Sequence, residues 1–181
     1  KLKKCIWCTD EGKMFGFKVK CGEKVMADPE KVEAIAAMTA LEDVAALKSF
    51  LGSCVYLSKF LKDYAALSAP LYELEKSLKT GTVKLKPHWR PQHETSFSAI
   101  KAALATTPFL IFPDFTKPFL LLTDASKHSI GGVLMQLDEE GMERPVAFTS
   151  RRLNSAEKNY GICDREAAAG IHCVRKWRQY L

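Results

Sequence analysis

Two carboxylates stand where a carboxylate is conspicuous. Asp124 follows directly on the apolar run Phe119–Thr123. An aspartate at the end of a buried strand is costly unless it is solvated, hydrogen-bonded or bound to a metal. A strand-ending turn accounts for an aspartate there equally well. Glu166 lies 4, 7 and 11 residues before Gly170, Cys173 and Trp177, a spacing that sets all four on one helix face. That face is expected to pack on a sheet, with the carboxylate on it or at its boundary. Asp164 falls on nearly the opposite side and makes a poor partner. A carboxylate at a strand end and another on the helix above that strand can share Mg²⁺, a hard cation that takes oxygen ligands and retains waters. A pair of such metals can activate water and stabilise the leaving oxygen in phosphodiester cleavage.

The other chemistry-bearing types say less. Cysteines stand at 5, 8, 21, 54, 163 and 173. Cys5 and Cys8 form a C-x-x-C, but no second pair or paired histidine follows at zinc-ligand spacing. Core or surface thiols are the simpler reading. His88, His93, His128 and His172 show no ligand spacing and carry no assigned role. The formal net charge of +6 and pI of about 9.0 suit contact with nucleic acid or an anionic surface; a lysine-rich solvated surface explains them as well. No apolar run approaches the length that spans a bilayer, and the N-terminus has no signal-peptide core. The expectation is an intracellular chain, in a cytoplasmic particle or the nucleus, with reduced thiols and no membrane partner. It starts at Lys1 without a methionine, as a piece of a longer chain does.

The elements that must position these residues come in two kinds. Cys5–Trp7 suits a strand, Asp10–Gly12 a turn, and Met14–Val19 a second strand whose interior glycine marks a bulge or close approach. Asp28 caps a helix with Pro29 in its first position. Thr39 caps a second, whose Val44, Leu47, Phe50, Leu51, Val55 and Leu57 recur at helical spacing. Leu67, Leu71, Leu74 and Leu78 make a third, with Pro70 near its first turn. Lys79–Arg90 is the best linker candidate. Glu94–Ala105 is a further amphipathic helix, and Pro108 and Pro113 punctuate short extended pieces. From Phe119 the pattern turns to strands: Phe119–Thr123, buried on both faces, Ile130–Gln136, a turn at Asp138–Gly141, and Pro145–Thr149. A helical turn from Ser155 and a long helix Asp164–Tyr180 follow. The fold class is α+β: a β-hairpin, a helical bundle, then the opening half of an α/β layer.

The local wording is more specific. Thr123-Asp124-Ala125-Ser126, Ile130–Gln136, Arg144–Leu153, Ala156–Tyr160, Glu166 and Trp177–Leu181 resemble, in order and spacing, the opening of the ribonuclease H domain of gypsy-type reverse transcriptases. Upstream, Asp28–Ile35 resembles the segment after that family's palm. Ser49–Gly52, Tyr56–Phe60 and Ala69–Leu71 resemble its thumb, and Met14–Phe17 the hairpin that grips the primer strand. The resemblance covers essentially the whole chain.

It implies four segments: residues 1–27 as the end of the palm with the hairpin, 28–90 as a thumb, 91–118 as a helix and linker, and 119–181 as an incomplete ribonuclease H-like domain. It implies that Asp124 and Glu166 are the first two of four acidic Mg²⁺ ligands for hydrolysing the RNA strand of an RNA–DNA hybrid. Phe15, Gly16, Phe17, Lys18, Lys59 and Arg151 are then candidates for nucleic-acid contact, with lysines meeting phosphates. The implied partners are hybrid or primer–template nucleic acid and the rest of a retroelement polyprotein, with a dimer possible in the parent. The polymerase aspartates and the other two carboxylates are expected outside Lys1–Leu181. Phe17 departs from the family, where a polar residue or tyrosine is usual. Three readings follow: an enzyme fragment active within a longer parent, a non-catalytic nucleic-acid-binding remnant, and a degenerate or repurposed retroelement-derived domain.

Overall fold

A computed structural model describes residues 9–78, 83–106 and 108–181. Its architecture is α+β. Strands β1 (Glu11–Met14), β2 (Phe17–Lys20) and β3 (Lys24–Ala27) form an antiparallel meander. Helices α1 (Pro29–Ala36), α2 (Val44–Leu57), α3 (Tyr64–Leu78) and α4 (Pro91–Ala105) follow, with a 3₁₀ turn at Ser58–Phe60. Strand β4 (Leu110–Ile111) returns to pair with β3, giving the order β1-β2-β3-β4. Strands β5 (Leu120–Ala125), β6 (Ser129–Leu137) and β7 (Glu143–Arg152) make a second antiparallel sheet in sequence order, crossed by α5 (Ile162–Lys176).

The first hairpin departs from the sequence reading. Cys5–Trp7, and with them the C-x-x-C, lie outside the described residues. The turn falls at Phe15–Gly16 rather than Asp10–Gly12: Met14 pairs with Phe17, and both turn residues have positive φ (49° and 70°). Two-residue hairpin loops take that backbone because its twist matches the strands. The glycine read as a strand bulge is therefore the turn itself.

Asp28 caps α1 as expected, accepting from the Glu30 amide, with Pro29 in its first turn. The cap of α2 is Asp43, not Thr39; its carboxylate accepts from Ala46 N at 2.8 Å. Tertiary pairing selects it: Asp43 bridges Lys84, and Val44 N donates to Val83 O. Helix α3 starts at Tyr64, so Pro70 is interior rather than near the first turn. Residues 79–82 of the linker candidate lie outside the described residues; beyond them Leu85 is fully buried in the helical core. Helix α4 packs into that same core through Phe97, Ile100 and Leu104.

The second sheet docks on the helices through β7. Ala65 N donates to Ser150 Oγ at 3.0 Å, and Arg152 reaches the Ala69 carbonyl at 3.4 Å. Strand β5 is not buried on both faces. Leu121 and Ala125 pack in the clusters beneath α5, while Leu122 is 54% exposed. Period-two alternation assigns Asp124 to the Leu122 face.

Candidate nucleic-acid interface and acidic pair

The hairpin tip meets α1 and α2 in a stack of rings and lysines. Phe15 is 84% exposed at the tip. Phe17, one residue past the turn, points inward and is buried. Its ring lies parallel to Tyr56 (centroids 4.7 Å, 7°) and tilted against Phe60 at 5.6 Å. Lys59 Nζ stands 3.4 Å over the Phe17 ring, and Lys31 Nζ 4.2 Å over Tyr56. A cation over a ring face is held by the ring quadrupole. Burial lowers the Lys59 pKa. Neither lysine makes an ion pair among the described residues, unlike Lys13, Lys18 and Lys20, which pair with acids. Gly16 has a steric reason as well as a conformational one. A Cβ there would run into Lys31 Nζ and come within 2.8 Å of the Tyr56 hydroxyl.

Of the contact residues expected here, Phe15 and Gly16 form the tip and Lys59 is unpaired. Phe17 is buried, its ring a platform that Tyr56 and Lys59 cover. Lys18 is tied to Glu11 at 2.9 Å. Lys31 and Tyr56 were missed. They belong to helices remote from the hairpin in sequence, and only the fold joins them.

Arg151 also has a structural partner. Its guanidinium makes two 2.7 Å bonds to Glu157, whose carboxylate accepts in addition from Asn154 N at 2.9 Å. Arg151, foremost among these, pushes the Glu157 carboxyl down to about 2. Arg151 Nε donates to His172 Nδ1 at 3.3 Å. An arginine only donates, so Nδ1 is the acceptor and the Nε2 proton faces Thr149 Oγ1 at 3.3 Å. Burial and then Arg151 lower the His172 pKa, consistent with the neutral ring. His172, which has no ligand spacing in the sequence, is thus a node between α5 and β7.

Asp124 lies inside β5, one residue before its end, and is exposed; its Oδ1 accepts from Ala125 N at 2.9 Å. Glu166 is the fifth residue of α5 and is also exposed. The packing stripe of α5 is Ala169, Cys173 and Trp177, so Glu166 sits at its rim rather than within it. The two carboxylates lie toward the same end of the sheet, Asp124 on the face away from α5 and Glu166 at the rim of the helix that packs on the other face. Ala169 packs with Ala125 and Ile130, and Arg165, next to Glu166, reaches the Ser126 carbonyl at 3.4 Å. The glycines of β6 permit this close crossing. A Cβ on Gly132 would meet Cys173 Sγ and lie 2.9 Å from the Leu122 carbonyl. Among the described residues no three His, Cys, Asp or Glu side chains group as a metal site.

A hairpin gripping a helical bundle, joined to an antiparallel sheet with a carboxylate at a strand end and another on the crossing helix, is the arrangement expected of a reverse transcriptase with its ribonuclease H-like part. The sequence model of the RNase H-like domain found in reverse transcriptase matches residues 89–181, and the chain belongs to that family. It is 38% identical over 185 residues to the retrovirus-related Pol polyprotein from transposon opus of Drosophila melanogaster, covering 99% of this chain and 18% of that one. To the corresponding polyprotein from transposon gypsy of the same organism it is 35% identical, over 86% of this chain and 15% of the other. To the transposon Tf2-3 polyprotein of Schizosaccharomyces pombe it is 37% identical over 75% of this chain and 10% of the other. The chain thus spans less than a fifth of these relatives. Foamy viral protease-reverse transcriptase in complex with dsDNA superposes with a TM-score of 0.81 at 20% identity, over 98% of this chain and 36% of that one. The same enzyme in complex with RNA/DNA hybrid gives 0.78 at 20% identity, over 97% and 23%. At that identity the likeness is one of fold. Among the described residues no helix is long and apolar enough to cross a membrane.

Proposed function

We propose that this chain is a segment of a retroelement reverse transcriptase/ribonuclease H polyprotein that grips RNA–DNA hybrid through its hairpin and helical bundle. In the full-length parent, its second sheet and α5 contribute Asp124 and Glu166 to hydrolysis of the RNA strand. The observation that carries the binding half is the pair Lys31 and Lys59, held without acidic partners among the described residues on the Tyr56–Phe17 stack beside the exposed Phe15. Cations kept free of carboxylates and pre-ordered by rings suit a phosphate backbone. An exposed aromatic at a hairpin tip suits a base or sugar face.

For the acidic half, the donors fit Mg²⁺ in kind, because both are exposed carboxylates and hard cations take oxygen ligands. In number they are short, since the described residues offer no third member. Asp124 and Glu166 would hold the ion, which would supply water activation and charge stabilisation. The chain alone is therefore expected to bind hybrid with little or no cleavage.

The test is hybrid binding by the purified chain across a salt series, with Mg²⁺ and a gel readout. Binding that weakens steeply with salt, with a slope reduced by roughly 1 to 2 in Lys31→Ala/Lys59→Ala, is expected. No binding at low salt would overturn the proposal. Strong Mg²⁺-dependent cleavage lost in Asp124→Asn would overturn the expectation that this segment is inactive by itself.

A further inference from the structure

Arg165, on the helix that crosses the second sheet, carries a charge with no ion-pair partner among the described residues. It lies in the first turns of α5, near the positive end of the helix dipole, where a cation is unfavourable. Its Nε is buried and without a hydrogen-bond partner, and its side chain makes a single long bond, Nη1 to the Ser126 carbonyl at 3.4 Å. It forms no ion pair among the described residues, although Asp164 and Glu166 are its chain neighbours. The contrast with Arg151, whose guanidinium is doubly matched by Glu157, shows what a structural arginine looks like in this sheet. An unmatched guanidinium against a helix N-terminus is costly and is explained when an anion completes it.

Its position says which anion. Ser126 is two residues past Asp124, and Arg165 adjoins Glu166, so the guanidinium ties the loop after the strand of Asp124 to the helix that carries Glu166. We infer that Arg165 is a substrate-binding residue that contacts a backbone phosphate of the hybrid beside the acidic pair. This rests on the proposed function. The guanidinium fork suits a phosphate oxygen pair, and its charge offsets the repulsion that two carboxylates exert on an approaching phosphodiester.

The experiment measures hybrid binding by the full chain across a salt series for the wild type, Arg165→Met and Arg165→Lys, each with a thermal melt. Methionine fills the same half-buried space without the unpaired donor. The expected result is that Arg165→Met melts at or above the wild-type temperature, binds about 3- to 10-fold more weakly at low salt, and loses about 0.9 from the slope of log K against log salt, one phosphate's share. Arg165→Lys is expected to restore the slope. An Arg165→Met chain that melts lower or unfolds, or that keeps the wild-type slope, assigns Arg165 to holding the Ser126 turn and overturns the inference. A wild type that fails to bind hybrid at low salt overturns the proposed function instead.

Discussion

The helical bundle and the second sheet are stabilised in different ways. The bundle shares one core: nineteen buried side chains from β2, β3, α1 to α4, β4 and the intervening turns form a continuous cluster among the described residues. Under α5 the corresponding clusters hold four and three. Polar contacts do more there. Buried Gln136 accepts from Asp114 N at 2.9 Å and donates to Asp114 O and Lys117 O, tying β6 to the loop before β5. Glu157 gathers Arg151 and Asn154. A single large core tolerates polar loss at its rim. Two small clusters joined by hydrogen bonds depend on each polar node and each close approach.

The largest expected effect falls in the bundle. Phe50 is fully buried and tilts against Phe97 at 4.9 Å. Phe50→Ala is expected to cost about 3–5 kcal/mol, read from urea unfolding. Leu134→Ala, equally buried but in the four-member cluster, is expected nearer the low end of the range for leucine, about 2 kcal/mol. Equal losses at the two sites would break the comparison and make the sheet as well supported as the bundle.

Gly132 sharpens it at one residue. Gly132→Ala sets a methyl against Cys173 Sγ and the Leu122 backbone, at an expected cost of about 1–3 kcal/mol by thermal melt. Cys173→Ala added to it relieves the sulfur contact but not the backbone one. Partial recovery is therefore expected. Full recovery would mean that β5 can shift away, and no recovery that the backbone contact dominates.

The polar node gives the sheet an acid sensitivity. Glu157 has its folded pKa depressed to about 2 from 4.5. The unfolded chain binds the proton first, so this contribution is present above about pH 4.5 and is lost as pH falls toward 2. His172, depressed from 6.5 by burial and Arg151, acts in the same sense: the unfolded state takes up a proton below that pH while the folded ring resists. Stability of the second sheet is expected to fall from near pH 6.5 downward in two steps. Glu157→Gln should remove the lower step and leave the His172 step. A melting curve in which the variant keeps the lower step would show that another carboxylate supplies it.

Local chemistry was legible in the sequence and tertiary choice was not. The Asp28–Pro29 start of α1 was readable because cap and proline act within three residues. Thr39 and Asp43 are both competent caps, and the choice between them was made by Lys84 and Val83, forty residues away. Phe15–Gly16 hid as a strand because an aromatic at positive φ is rare. The exposure of Leu122 could not be seen in an unbroken apolar run, since alternation is invisible when both parities are leucine. Asp124 and Glu166 stood out by type and spacing. The contacts of Lys31, Tyr56, Arg165 and His172 did not, because each meets a partner on another segment of the fold.

The smallest expected effect has the opposite sign. Gly170 interrupts α5, yet a Cβ built there meets nothing within 4 Å, and its φ is not in the left-handed region. The fold of this chain therefore gives no steric reason for glycine. Gly170→Ala should stabilise by about 0.5–1 kcal/mol, through helix propensity and a less flexible unfolded state, with the gain read as a higher melting temperature of the purified chain. Gly132 and Gly170 then form a matched pair, one glycine that the sheet needs and one that it does not. If Gly170→Ala raises stability yet weakens hybrid binding, the open side of Gly170 is where the backbone of the nucleic acid comes close. If it lowers stability, the helix is held against something that fills that space, and the second sheet is better packed than its small clusters imply.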